Sequence, residues 1–116
     1  MRGLYIALIL SLLSGSAWAT TEYSTERIVA AIYKAEGSER ASVPYGIMWE
    51  GCDWDDVALC RRICVNTVNN QRRRHKAHEC GRDFLTCLWH RYCPPSAHPL
   101  NAHWLSNVRA FLSLTD

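Results

Sequence analysis

After residue 19 the chain of 116 residues has no apolar run approaching the roughly 20 residues that cross a membrane. It contains no internal repeat and no low-complexity stretch, so neither a solenoid nor a biased tail enters the account. A surplus of one charge sign is also missing. Of 13 Lys and Arg residues one, Arg2, falls in the N-terminal leader, leaving 12 basic against 11 acidic residues. A dedicated nucleic-acid binder would show a clear basic excess. No Gly-x-Ser-x-Gly context surrounds Ser38, Ser42 or Ser96, so serine-hydrolase chemistry has no support.

What is present begins with that leader. Arg2, the apolar run Leu4 to Leu13 and the small-x-small triplet Ala17-Trp18-Ala19 have the layout of a signal peptide cleaved between Ala19 and Thr20. An uncleaved anchor is the alternative. Cleavage leaves one small domain, residues 20–116, secreted or periplasmic. A core of that size is marginal without staples. Six cysteines, all in the mature part, supply them: Cys52, Cys60, Cys64, Cys80, Cys87 and Cys93. An even count behind a secretion signal reads as a disulfide framework, each bridge adding about 2–4 kcal/mol. Cys60 and Cys64 lie one turn apart on one helix face and should seek different segments. The expected pairs are Cys64–Cys93, Cys60–Cys87 and Cys52–Cys80, one set among 15 possible ones.

The patterning is mostly α. Ser24 or Thr25 can cap a first helix whose stripe Val29, Ile32, Tyr33 and Glu36 follows i, i+3, i+4, i+7 spacing and stops at Gly37. Residues 38–51 read as loop, punctuated by Pro44, Gly46 and Gly51. Asp53 is expected to cap a second helix carrying Val57, Cys60, Ile63, Cys64, Thr67 and Val68, fraying from Asn69. A third helix covers 82–92 and stops at Pro94-Pro95, and Asn101 is expected to cap a last one.

The unusual residue is Glu36, a carboxylate on the apolar face. Burial disfavours its charged form, and the helix C-terminus pushes the same way. A glutamic acid held protonated near neutral pH is what general-acid catalysis requires. The alternative is a structural glutamate bonded to the next loop or paired with an arginine. Tyr45, Trp49 and Trp54 lie in or beside that loop and can line a cleft; Trp89 and Trp104, at helical spacing, read as core. His75, His78 and Cys80 form an H-x-x-H-x-C cluster of ligand types, but without a second pair at zinc-finger spacing. Neither a metal nor a cofactor is expected. Arg72-Arg73-Arg74 reads as a solvated helix end, with docking to anionic wall polymer or head groups as the alternative.

Glu36-Gly37-Ser38, a spacer and Tyr45-Gly46-Ile47-Met48 together resemble the catalytic start of lytic transglycosylases and lysozyme-like enzymes. In that superfamily a helix-terminal Glu-Ser precedes a Gly-Leu-Met-Gln turn. The likeness extends more loosely to Arg91-Tyr92-Cys93-Pro94 and to 101–112. Trp49 stands at the Gln position, and the Glu-to-Gly spacer is shorter than in the commoner members. The resemblance implies a small lysozyme-like domain, with room for a short β-hairpin in the loop after Glu36. It implies Glu36 as the acid and Tyr45, Gly46, Ile47, Trp49, Asn66 and Tyr92 as substrate contacts, Tyr92 orienting Glu36 or the sugar. Glycosidases of the usual kind need a second carboxylate, about 5–5.5 Å away for retention. Glu39, Glu50, Asp53, Asp55 and Asp56 offer no evident candidate. That suits a lytic transglycosylase acting on peptidoglycan strands, where one Glu serves as acid and then base. A catalytically inactive wall-binding or assembly module is the alternative. No protein partner is indicated.

Overall fold

The computed structural model describes residues 23–114, so the expected leader and the Ala19/Thr20 junction lie outside the described residues. The chain is mostly helical, and no strand occurs among the described residues. Among the described residues four α-helices form the body: α1 (Thr25–Ala35), α2 (Val57–Lys76), α3 (Phe84–Tyr92) and α4 (Trp104–Leu114). Between α1 and α2 lie two single-turn 3-10 segments, Ser38–Arg40 and Pro44–Gly46; a third, Pro99–His103, leads into α4. No helix among the described residues is long and apolar enough to cross a membrane.

Three of the four helices start where a side chain can satisfy the first free N–H groups. Ser24 accepts from the Arg27 N–H, Asp56 from Leu59 and Asp83 from Thr86. The second cap is Asp56 rather than the expected Asp53, whose carboxylate instead closes a turn by accepting from the Asp55 N–H at 2.9 Å. Nor does Asn101 cap α4. It sits inside the third 3-10 segment, donating to the Pro94 carbonyl at 2.8 Å and accepting from Trp89 Nε1 at 2.9 Å.

α2 also runs further than its sequence pattern suggests. Tertiary contacts keep its polar end helical: Gln71 is buried, and Arg72 donates to Thr25 Oγ1 at 3.0 Å while lying over the Phe84 ring. Ile28, Val29, Ala31 and Ile32 of α1 meet Cys64 and Val68 of α2, Leu88 of α3, and Trp104, Leu105, Val108 and Leu112 of α4 in one core. Burying each large aliphatic side chain contributes about 1.5–3 kcal/mol. The core holds the end of α1 against the Pro44–Gly46 turn, and α2 and α4 pack alongside.

Two disulfides staple this body, Cys52–Cys60 and Cys80–Cys87. They correct the expected pairs Cys52–Cys80 and Cys60–Cys87, and Cys64 and Cys93 are thiols rather than the partners of a Cys64–Cys93 bridge. The reason is local. The turn ahead of α2 folds Cys52 back onto the first turn of its own helix, with Cα atoms 5.1 Å apart. The loop after α2 likewise sets Cys80 beside Cys87 at 6.1 Å. Cys64 instead faces the Tyr92 hydroxyl at 3.7 Å.

Candidate active site

The site is built at the end of α1. Glu36 is the C-cap, its N–H donating to the Ile32 carbonyl at 3.0 Å, and Gly37 follows with φ +112°. That left-handed residue turns the chain sharply away, which suits glycine because it has no Cβ to clash. The chain returns at Pro44–Gly46, where Tyr45 (φ +59°) and Gly46 (φ +67°) are both left-handed. Backbone strain at a bulky residue such as Tyr45 persists only where its surroundings hold it. Here they do: the Tyr45 ring is buried against Tyr33, centroids 4.9 Å apart, and its carbonyl accepts from the Tyr92 hydroxyl at 2.5 Å.

This turn lies directly under the acid. A Cβ built on Gly46 would come within 2.3 Å of Glu36 Oε2 and 2.4 Å of Cδ. The carboxyl group therefore occupies the space that any side chain at position 46 would need. Glu36 is half-buried, whereas the other eight described carboxylates, from Glu26 to Asp83, are all exposed. Among the described residues it takes part in no ion pair with Lys or Arg. Desolvation pushes its pKa above the ordinary carboxyl range, opposed in part by the indole N–H of Trp104. The structural alternative of a glutamate locked to an arginine thus finds no partner here.

Around the carboxyl stand groups that stay neutral. Tyr92, on α3, stacks on Trp104 with centroids 5.4 Å apart and an interplanar angle of 27°. Burial drives its phenol pKa far upward, the nearby Cys64 and Glu36 adding to the rise. The Cys64 thiol is pushed up to about 12 and that of Cys93 to about 11, burial being the main cause in both and the charge of Glu36 a further one.

The residues expected to contact substrate divide. Gly46 adjoins the acid, and Tyr92 reaches the same turn through Tyr45 rather than by hydrogen-bonding Glu36 itself. Tyr45 and Ile47 turn their side chains into the core, leaving backbone as what they can offer a ligand. Trp49 is 68 % exposed and Met48 85 %, an apolar pair on the loop that leaves Gly46. Trp54 is tied down by its indole N–H, which donates to the Ala41 carbonyl at 2.9 Å. Asn66 is exposed, two residues and about 200° around α2 from the Cys64 that neighbours the site. It points away from Glu36. Trp104 is the residue that sequence reasoning missed: its helical spacing reads as core, and nothing local marks its N–H as one that acts on the titration of Glu36.

The H-x-x-H-x-C cluster is engaged otherwise. His75 Nε2 lies 2.9 Å from the Arg82 carbonyl oxygen, and Cys80 is in a disulfide. No group of three or more potential metal ligands occurs among the described residues. No protein-family model, curated protein or solved structure matches the chain. The class defined by fold and site is therefore a small, mostly helical, disulfide-stapled domain carrying one half-buried acid.

Proposed function

We propose that this protein is a secreted or periplasmic lytic transglycosylase that cleaves the β-1,4 bond between N-acetylmuramic acid and N-acetylglucosamine in peptidoglycan. One observation carries the reading: the sole carboxyl that is not exposed among the described residues is held toward its protonated form, on a glycine turn, with no cation to claim it. Glu36 protonates the glycosidic oxygen as the bond to the anomeric carbon breaks. The resulting carboxylate removes the proton from the muramoyl C6 hydroxyl, whose oxygen closes on that carbon to give a 1,6-anhydro sugar. No water is consumed, so no second carboxylate is needed to activate one, in keeping with the exposure of all the other described acids. Gly46 makes room for the acid against the backbone, and Tyr92, by holding the Tyr45 carbonyl, keeps the turn beneath it. The two disulfides suit an oxidising compartment, the expected destination of a chain with such a leader.

The test is incubation of the mature protein with purified peptidoglycan and mass analysis of the released sugars. Anhydro-muropeptides are expected, and reducing-end muramic acid would instead mark a hydrolase. Glu36→Gln, nearly isosteric, should abolish product while retaining glycan binding. A second reading has the exposed Met48-Trp49 pair in its favour: a wall-binding module that holds glycan on this loop without cleaving it. Binding without product, unchanged in Glu36→Gln, would select that reading.

A further inference from the structure

Besides Trp49, which is 68 % exposed, three tryptophans belong to the helical body and its loops, and two of their indole N–H groups have partners. Trp54 donates to the Ala41 carbonyl and Trp89 to the Asn101 carbonyl, each at 2.9 Å. Trp104 is the most buried of the three, 5 % exposed, yet its Nε1 has no hydrogen-bond partner among the described residues. A buried donor without a partner is rare enough to require a reason. Its ring stacks on Tyr92, whose hydroxyl holds the Tyr45 carbonyl in the very turn that seats the Glu36 carboxyl, and the indole N–H is the one side-chain group that favours the charged form of that acid. The Trp104 ring cannot turn away, because it stacks on Tyr92 and is packed in the core.

We propose that Trp104 is a positioning residue for Glu36, its indole N–H held in reserve to bind the carboxylate once the proton has gone to the sugar. This role rests on Glu36 being the acid. In the protonated acid, the orphaned donor contributes little. After proton transfer the same donor meets a full negative charge, and a hydrogen bond to a charged group is the stronger kind. The N–H thereby favours the state formed during bond cleavage over the resting one, which is the condition for accelerating the step. It also keeps the carboxylate aimed at the C6 hydroxyl for the second transfer.

The test uses the mature, disulfide-bonded protein. The Trp104 Nε1–H resonance should move as Glu36 titrates, and stay still over the same range in Glu36→Gln. Trp104→Phe keeps the stack on Tyr92 and removes the donor. In this variant the Glu36 carboxyl titration, followed by carbon-detected NMR, should move upward, and kcat on peptidoglycan should fall about tenfold or more with KM nearly unchanged. The other titratable groups near the carboxyl are Tyr92, Cys64 and Cys93, all with pKa values raised well above neutral, so they do not blur the window. An indole resonance that ignores the Glu36 titration overturns the proposal, even should Trp104→Phe fail to fold. An unmoved carboxyl titration in folded Trp104→Phe overturns it as well. If the wild-type protein releases no product, the enzymatic reading fails while the two NMR titrations still decide whether Trp104 serves Glu36.

Discussion

Gly46→Ala should displace the acid without altering its chemistry. A methyl group at position 46 would sit 2.3 Å from Glu36 Oε2, whereas ordinary contact begins near 3.4 Å. The difference, 3.4 − 2.3, obliges the carboxyl to retreat by about 1 Å. The carboxyl is the far end of a flexible side chain, so it can move, and the fold can survive. A displacement of about 1 Å at a reacting group costs roughly 100-fold in rate. Separately, φ at residue 46 is +67°, a conformation that costs a non-glycine residue about 1–2 kcal/mol. For a domain of this size that lowers the melting temperature by roughly 4–16 °C. The assay is release of anhydro-muropeptides well below the melting point, with a thermal melt alongside. Gly81→Ala is the control, since a Cβ there meets nothing within 4 Å. Activity within threefold of wild type in a folded Gly46→Ala protein would refute the idea that the carboxyl acts from its seat on this turn.

Other outcomes follow from the same geometry. Since the fold favours the protonated form of Glu36, its contribution to stability is full below the ordinary carboxyl pKa and is lost as pH rises through the raised folded value. Melting curves should therefore show Glu36→Gln gaining on wild type from acid to neutral pH, and turnover should decline as pH rises through the same window. Denaturation without reductant followed by alkylation should label Cys64 and Cys93 alone, with Cys64 slow to react in the native protein because it is buried and its thiol is pushed up to about 12. Labelling at any other cysteine counts against the two bridges. Asp83→Ala removes the α3 cap and the ion pair to Arg109, and urea melts should show a loss of about 1 kcal/mol. Partial burial alone would raise the Asp83 pKa, but the Thr86 hydrogen bonds and Arg109 hold it below the usual carboxylate range. Its stabilising effect is present above the ordinary value and lost as pH falls through the lowered one, so the gap to the variant should narrow in acid.

The helices could be read from the chain because their periodicity and caps are local. Ser24 and Gly37 mark the two ends of α1 by local chemistry that needs no distant partner, a capping hydroxyl and a residue free of Cβ. The apolar stripe also foretold that Glu36 would face inward, and it is half-buried. What escaped depends on the third dimension. Asp53 and Asp56 both precede the α2 stripe, and only the folded turn decides which one caps. The polar end of α2 stays helical because Arg72 finds Thr25, 47 positions away. Cys52–Cys60 and Cys80–Cys87 join partners eight and seven residues apart, a choice made by the folded turns, whereas helix geometry said only that Cys60 and Cys64 should not bridge each other. Trp104 gained its relation to Glu36 only through the packing of α4 against α1.

The short reach of the two crosslinks also bears on how the chain matures. Cys52–Cys60 spans eight residues and Cys80–Cys87 seven, so each sulfur finds its mate inside a segment hardly longer than two helical turns. A chain entering an oxidising space from its N-terminus would complete both before α4 arrived, leaving few wrong partners to unscramble. Oxidation then needs no finished tertiary fold as a template, and the later docking of α4, which brings Trp104 onto the Tyr92 ring, becomes the step that assembles the acid's surroundings.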